Sequence, residues 1–196
     1  MKGLRDTRPQ VDGHVNAQRS DGHSQTQPPE IGALYRAHAQ LVARWAARLG
    51  GPGIDAEDVV QDVFLTAQRL LPGFRGDAQV TTWLFRITHN AVRHRRRRER
   101  VRRWFFGAAS EGDAVASTRP TPVEDLERRE ASRLVYRALD RLADRDRTVI
   151  VLFELEGESG ERVAELMGAK LATVWVWLHR ARARFLAALE ALGGAS

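Results

Sequence analysis

The sequence predicts an all-α protein built of two small helical domains joined by a flexible linker. Apolar residues recur at three- to four-residue spacing through most of the chain, whereas the alternation typical of strands is missing. Residues 107–124 are small, polar and proline-containing, which is typical of a linker between two such helical regions. We therefore divide the chain into a tail (1–30), a first domain (31–103), a linker (104–125) and a second domain (126–192).

Composition points to a polyanionic partner. The 196-residue chain has a net charge of +6, and this charge is almost entirely arginine, since Lys2 and Lys170 are the only lysines. A GC-rich coding sequence would explain the choice of arginine over lysine, but not its clustering. The absence of cysteine excludes disulfide scaffolds and thiolate metal sites, and it fits a reducing compartment.

Residues 1–30 contain few large apolar side chains, so we expect a disordered tail in which His14 and His23 are solvated. The tail has no apolar stretch of the signal-peptide kind. The longest strongly apolar run, residues 149–153, is far too short to cross a bilayer. These features predict a soluble, cytoplasmic protein that does not insert into membranes.

Three helices are expected in the first domain. The glycine-rich stretch 50–53 ends the first, and Asp55 is the expected N-cap of the second, with Asp58 three residues later. Pro72 and Gly73 end the second helix, and a loop leads into the third. The apolar stripes of the first two helices are Leu34, Leu41, Trp45 and Leu49, then Val59, Val63, Ala67 and Leu70.

The third helix, "TTWLFRITHNAVRHRRRR" (81–98), combines aromatic, polar and basic side chains. Its buried stripe is expected to be Val80, Leu84, Ile87 and Ala91. A neighbouring line holds an aromatic ring, an amide, an imidazole and a guanidinium: Trp83, Asn90, His94 and Arg97. Eight of the eleven residues from 93 to 103 are arginine. Aromatic rings among positive charges hold single-stranded nucleic acid, where stacking contributes roughly 1–3 kcal/mol per base.

Other interpretations of this helix remain open. Trp83 alone is equally typical of a core residue, and the arginine block alone of a solvated helix face. A metal or nuclease site at His89, Asn90 and His94 is disfavoured, because no acidic or cysteine partner lies nearby in the sequence.

The stretch "ERVAELMGAKLATVWVWLHRARARF" (161–185) has the pattern of a helix-turn-helix. Gly168 is the expected turn between a short helix and a longer one. A basic second helix after a tight turn is the arrangement that enters a DNA major groove. The expected inward residues are Val163, Ala164, Met167, Leu171, Val174, Leu178, Ala181 and Phe185. The opposite face presents Val176, His179, Arg180 and Ala183, flanked by Trp175, Arg182 and Arg184.

Three stretches together resemble the sigma-70 family of bacterial RNA polymerase sigma factors, in the small extracytoplasmic-function (ECF) group that keeps only regions two and four. They are "DAEDVVQDVF" (55–64), "FRGDAQVTTWLFRITHN" (74–90) and "LDRLADRDRTVIVLFELEGESGERVAELMGAKLATVWVWLHRARARF" (139–185). The resemblance covers about 31–103 and 126–190, and it implies a region-two helical bundle and a region-four helix-turn-helix.

The resemblance implies two contacts with core RNA polymerase, at the β′ coiled coil and the β flap. Asp58, Gln61 and Asp62 take the positions that bind the coiled coil. An acidic patch in a basic protein agrees with a protein partner, although an ordinary solvated helix face remains the alternative.

The resemblance also implies promoter contacts. The loop 74–82 and the helix after it match the part of the family that captures a flipped base of the single-stranded −10 element, and the second helix of the helix-turn-helix matches the reader of the −35 duplex. The implied −10 residues are Phe74, Asp77, Gln79, Thr82, Trp83, Asn90, His94 and Arg97. The implied −35 residues are Thr173, Trp175, Val176, His179, Arg180 and Arg182, and Ser159 and Arg162 are placed to reach phosphates.

This sequence departs from the family pattern in two places. His94 stands where Asp or Asn is more usual, and Trp175-Val176-Trp177 replaces a stretch that is usually basic and hydroxylic. The first departure affects the preferred −10 base. At the second, we expect Trp175 to offer an apolar thymine contact and Trp177 to pack inward.

The sequence thus predicts a sigma factor that binds core polymerase, directs it to promoters and supports promoter melting, with no enzymatic activity, cofactor or metal of its own. An anti-sigma factor is the further partner that the resemblance implies. The alternative is a two-module DNA-binding regulator acting without polymerase, which would have no use for the acidic patch. An arginine-rich nuclease would need metal ligands that the sequence lacks. The cluster Trp104-Phe105-Phe106 is expected to pack against the end of the first domain rather than to dock a partner.

Overall fold

The computed structural model describes residues 30–106 and 122–194, and within these ranges the chain is helical with no strand. This confirms the all-α prediction. The predicted tail up to residue 29 and residues 107–121 of the predicted linker lie outside the described ranges. The α-helices are α1 (Ile31–Gly50), α2 (Ala56–Leu70), α3 (Val80–Phe106), α4 (Pro122–Asp140), α5 (Asp144–Ile150), α6 (Gly160–Met167) and α7 (Leu171–Gly193). A 3₁₀ turn (Leu71–Gly73) follows α2, and a π-helical segment (Val151–Leu155) follows α5.

Helix boundaries follow local chemistry. The Asp55 carboxylate accepts hydrogen bonds from the backbone N–H groups of Glu57 (2.8 Å) and Asp58 (3.3 Å), which confirms Asp55 as the N-cap of α2. The Ser159 hydroxyl caps α6 in the same way, accepting from the Arg162 N–H at 3.2 Å. Gly168 adopts a left-handed conformation (φ 63°) at the end of α6, which confirms it as the turn of the helix-turn-helix.

Helices α1, α2 and α3 form the N-terminal unit. Trp45 of α1 is 1% exposed and meets Phe85 of α3 edge to face, with ring centroids 5.2 Å apart. On α3 the predicted stripe is buried at Leu84 and Ile87 and half-buried at Val80 and Ala91. With this stripe against the core, Asn90, His94 and Arg97 of α3 remain exposed.

Helices α4 to α7 form the C-terminal unit. Val163, Val174, Leu178 and Ala181 are buried between α6 and α7, as the predicted inner stripe requires. The expectation for Leu171 is wrong, because this first residue of α7 remains 37% exposed at the edge of the motif. On α6 it meets Gly160, which has no side chain to cover it; a methyl group at Gly160 would lie 3.0 Å from Leu171 Cδ1.

The two units are not separate in this structure. One cluster of buried apolar side chains runs continuously from α1–α3 into α5, the π-helical segment, α6 and α7. Helix α3 contacts α6, and α1 contacts the π-helical segment. Two helical domains are confirmed, and their packing against each other is a feature that the sequence did not indicate.

Both ends of the predicted linker are helical, because α3 extends to Phe106 and α4 begins at Pro122. Trp104 and Phe105 are 80% and 67% exposed, so the expectation that they pack against the first domain is wrong for these two residues. The cause is that α3 continues beyond the end of the N-terminal unit and carries both rings away from it.

Candidate polymerase and nucleic-acid interfaces

The acidic patch (Asp58, Gln61 and Asp62) lies on one exposed face of α2. Arg95 of α3 reaches across to it, with Nη1 3.0 Å from Asp58 Oδ2 and Nη2 2.6 Å from Asp62 Oδ2. The hydrogen bond to Asp62 is the main reason that the pKa of Arg95 is raised. More than half of each carboxylate side chain stays exposed, so the patch presents negative charge with one arginine at its edge.

An aromatic pair joins the start of the −10 loop (residues 74–82) to the residue that follows the loop in α3. The rings of Phe74 and Trp83 lie 4.9 Å apart at a tilt of 40°, and both residues are half-buried against the core. Asp77 is exposed in the same loop. The indole of Trp83 therefore packs partly against the core and keeps the rest of its surface exposed.

The end of the −10 loop is covered by the C-terminal unit. Thr82 is fully buried, and its hydroxyl lies 2.6 Å from Glu165 Oε1 and 3.1 Å from Arg162 Nη1. Arg162 also donates to Thr81 Oγ1 (2.7 Å) and to Gln79 Oε1 (3.4 Å). The hydrogen bond from Thr82 lowers the pKa of Glu165, and Arg162 lowers it further. Two of the implied −10 residues are thus hydrogen-bonded to α6 here.

Further along α3, Asn90, His94 and Arg97 are exposed on one side, as the sequence predicts. His89 instead faces the C-terminal unit, and its Nε2 lies 3.0 Å from Thr148 Oγ1. Burial is the main cause that lowers the pKa of His89, and Arg93 adds to it. His89 is therefore a contact between the units rather than part of the exposed line.

On α7, most of the implied −35 residues form an open surface. Trp175, Val176, His179, Arg180 and Arg182 are exposed, and Thr173 is half-buried. The buried residues of α7 lie on the opposite side. The exposed side of α7 is therefore accessible without any change in how its buried side packs.

Two exposed side chains of α7, Trp175 and Arg182, contact residues of the π-helical segment. The Trp175 ring lies 5.4 Å from that of Phe153, and a methyl group at Gly160 would come within 2.8 Å of Trp175 Cζ2. Arg182 pairs with Glu154 at 2.7 Å. The π-helical segment thus supports both an aromatic and a basic residue of the −35 surface. Trp177 is half-buried with the Arg145 guanidinium over its ring, in line with its expected packing role.

Sequence reasoning missed the residues that join the two units. These residues are isolated charged side chains that belong to no sequence motif, and nothing in their spacing identifies a partner; they are Arg147, Arg96 and Glu156. The only available indication was that Arg147 lies two residues before the apolar run 149–153, where a charged residue needs a buried partner.

Within the described residues, no group of histidine and acidic side chains could hold a metal ion. None of the described helices has the length and apolar character needed to span a membrane.

Comparison with known proteins agrees with this geometry. The family model for sigma-70 region 2 matches residues 34–102, and that for sigma-70 region 4 matches residues 132–185. The RNA polymerase sigma factor CnrH of Cupriavidus metallidurans is 34% identical over 186 residues, covering 92% of this chain and 95% of that protein. The ECF RNA polymerase sigma-E factor of Escherichia coli is 31% identical over 154 residues, covering 74% and 76%.

Two solved structures are similar in fold. CnrH in complex with the cytosolic domain of CnrY aligns with a TM-score of 0.54 at 29% identity, over 82% of this chain and 88% of that chain. The sigma factor RpoE of Bartonella quintana, in complex with the anti-sigma factor NepR, aligns with a TM-score of 0.55 at 24% identity, over 82% and 96%. The second likeness concerns the fold alone.

A two-unit helical protein with an acidic patch and a helix-turn-helix has the architecture of a promoter-recognition subunit. The chain belongs to the sigma-70 family of RNA polymerase sigma factors, within the ECF group. Sigma factors of this family act with core RNA polymerase and promoter DNA in transcription initiation.

Proposed function

We propose that this sigma factor binds the β′ coiled coil through Asp58, Gln61 and Asp62, and that the C-terminal unit contacts the β flap. The exposure of the acidic patch in a basic protein supports the first assignment. The chemistry of RNA synthesis belongs to the polymerase, so the chain is not itself an enzyme, and it acts in the cytoplasm.

The −35 duplex is read by α7, and one observation carries this assignment. Trp175, His179 and Arg180 are exposed on the second helix of a helix-turn-helix, whose opposite side is buried at Val174, Leu178 and Ala181. A guanidinium pairs with the acceptors of guanine, whereas an indole face suits the thymine methyl group. The remaining residues proposed for this surface are Thr173, Val176 and Arg182.

The single-stranded −10 element binds along the −10 loop and α3. Phe74 and Trp83 provide aromatic surface at one end, and Asn90, His94 and Arg97 provide hydrogen-bonding and positive groups further along. Asp77, Gln79 and Thr82 complete the proposed site. Unstacking a base costs a few kcal/mol, and stacking on an aromatic surface offsets that cost.

We further propose that an anti-sigma factor binds this chain. The support is the related CnrH, whose structure was solved with the cytosolic domain of another protein, CnrY. A regulator that acts without polymerase is not favoured, because the sequence relatives are named as RNA polymerase sigma factors.

Co-purification with core RNA polymerase tests the proposal. The double variant Asp58→Arg with Gln61→Ala should lose binding to core enzyme while keeping its helical circular-dichroism spectrum. Glu57→Arg is the matched control, because it reverses one exposed charge on the same helix outside the acidic patch. Equal recovery of core enzyme with the double variant and with the control would contradict the assignment.

A further inference from the structure

Two adjacent residues of the π-helical segment, Phe153 and Glu154, contact two exposed residues of α7. Phe153 lies beside Trp175, with the ring centroids 5.4 Å apart and the planes tilted by 47°. The Glu154 carboxylate pairs with the guanidinium of Arg182 at 2.7 Å. Trp175 and Arg182 are seven positions apart, so the helical period places them on one line of α7, about 10 Å apart at 1.5 Å per residue. The segment therefore contacts one flank of the proposed −35 surface along two turns.

The core holds this segment in place. Val151 and Leu152, which directly precede Phe153, are 0% exposed. The N–H groups of Glu156 and Glu158 donate to the carbonyl oxygens of these two residues at 3.0 Å. Phe153 is itself half-buried against the same core. Because a close-packed core leaves the backbone little room to shift, the side chains of the segment present a fixed surface to α7.

The indole of Trp175 is confined although it is 49% exposed. Phe153 lies against it, and α6 comes so close that a methyl group at Gly160 would lie 2.8 Å from Cζ2 and 3.2 Å from Cη2. Gly160 is not among the glycines with a left-handed backbone, so the space that the indole occupies is what requires glycine here. These contacts restrict the rotamers of the indole, and the rotamer decides which base edge the ring meets.

The guanidinium of Arg182 is held by a single carboxylate oxygen. Its Nε and Nη2 lie 2.8 Å and 2.7 Å from Oε1 of Glu154, and among the residues that the structure describes Arg182 makes no other ion pair. The two side chains are 54% and 44% exposed, and an ion pair that is so exposed contributes little to folding stability. The pair therefore matters chiefly for the position of the guanidinium and for the charge that it offers to a phosphate.

We propose that Phe153 and Glu154 are positioning residues for −35 recognition, which act through Trp175 and Arg182 and not by touching DNA. Phe153 orients the indole and so sets the base preference at the position that Trp175 meets. Glu154 holds Arg182 back from the phosphates, so that binding depends more on base contacts and less on sequence-independent charge attraction. The proposal rests on the proposed function of α7 as the reader of the −35 duplex.

Selection from randomised −35 sequences, with holoenzyme assembled from core RNA polymerase and this sigma factor, tests the role of Phe153. Phe153→Ala should change base preference by roughly 5-fold, the lower end of what one base contact contributes, at the position that Trp175→Ala also affects. Phe153→Leu keeps apolar volume at this site and should show a smaller change of the same kind. In a Trp175→Ala background the effect of Phe153→Ala should vanish, because the ring that Phe153 orients is gone.

The salt dependence of −35 binding by the same holoenzyme tests the role of Glu154. Glu154→Gln should tighten binding to all −35 sequences alike and steepen the slope of log affinity against log salt concentration by about one, the value of one more phosphate contact. In an Arg182→Ala background it should do neither. Glu190→Gln is the matched control, because it neutralises another exposed carboxylate of α7 outside the proposed −35 residues, and it should leave the slope unchanged.

Unchanged selection by Phe153→Ala would overturn the role of Phe153, and an unchanged slope in Glu154→Gln would overturn that of Glu154. Effects that persist undiminished in the Trp175→Ala and Arg182→Ala backgrounds would also overturn them, since the two residues would then not act through α7. If the wild-type holoenzyme selects no −35 sequence, the proposed function of α7 fails instead. Circular dichroism establishes that each variant is folded, and Phe153→Leu takes the place of Phe153→Ala if the alanine variant is not.

Discussion

Arg147 of α5 caps the last turn of α1. Its Nε lies 3.1 Å from the Leu49 carbonyl oxygen and its Nη2 lies 3.3 Å from that of Gly50, while Nη1 lies 3.0 Å from Asp140. The last carbonyls of a helix have no partner within it and carry partial negative charge. A guanidinium at this end donates hydrogen bonds to these carbonyls and supplies a compensating positive charge. A residue of the C-terminal unit thus completes a helix of the N-terminal unit.

Replacing Arg147 with Leu should lower the free energy of unfolding by about 1–3 kcal/mol, because the α1 carbonyls lose their partner where water is excluded. Arg147→Lys should recover only part of this loss, since an ammonium cannot span the three acceptors as a planar guanidinium does. Urea denaturation followed by circular dichroism measures both. Arg137→Lys, at an exposed position of α4, is the control; equal effects of Arg147→Leu and this control would contradict the capping role.

His89 should make the packing between the two units sensitive to acid. The Thr148 hydroxyl donates to the Asp144 carbonyl at 2.7 Å, so it accepts from the His89 Nε2–H where the two units pack together. Burial and Arg93 lower the pKa of His89, Asp144 raises it, and Arg96 lowers it again. Arg147 lines the same cleft.

The direction of the pH effect follows from proton binding. When the units separate, His89 regains an ordinary histidine pKa of about 6.5 and binds more protons than it does in the packed structure. The packing between the units is therefore at full strength above pH 6.5 and weakens as the pH falls below it. The chain has no cysteine, so spin labels at Gln68→Cys on α2 and Ala187→Cys on α7, both exposed, report the separation of the units. They should show a larger fraction of separated units at pH 5.5 than at pH 7.5, and His89→Gln should reduce this difference; an unchanged difference in His89→Gln would exclude His89 as its source.

Trp175 should determine one position of the −35 element. Trp175→Arg should shift base preference there by roughly 1–3 kcal/mol, because a guanidinium pairs with guanine while an indole offers an apolar face. Gly160→Ala should change preference at the same position, since the new methyl group displaces the ring. Selection from randomised −35 sequences measures both. Leu186→Ala, exposed on α7 outside the proposed site, is the control; identical selected sequences in all variants would show that Trp175 does not read DNA.

Trp83 should act in strand opening. Trp83→Ala should leave binding to closed promoter DNA nearly unchanged and weaken opening by about 1–3 kcal/mol, the value of one base stack. Permanganate reactivity of thymines near the start site reports opening. Trp104→Ala, which removes an exposed indole at the far end of α3, is the control. If closed binding fails to the same extent, Trp83 is a packing residue only.

Local features were predictable from the sequence, and the packing between the units was not. The N-cap at Asp55, the turn at Gly168 and the buried Leu84 follow from interactions within a few residues or from helical period. The Thr82–Glu165 hydrogen bond joins residues 83 positions apart, and no periodic pattern marks either one. For Trp104 a contact was expected that does not exist. The residue was assumed to be buried because it is aromatic, but α3 extends beyond the N-terminal unit and leaves it exposed.

The π-helical segment between α5 and α6 also fixes an angular phase. Its i→i+5 bonding is seen where the Glu156 N–H donates to the Val151 carbonyl at 3.0 Å. Deleting one residue here would restore α-helical spacing and rotate α5 by about 100° relative to the helices that follow. Arg147 would then point away from α1 while Trp175 kept its own position on α7. The length of this segment therefore sets the rotation of α5 relative to α6 and α7. Changing it by one residue would disrupt the packing of α5 on α1 and leave the residues on the exposed face of α7 unchanged.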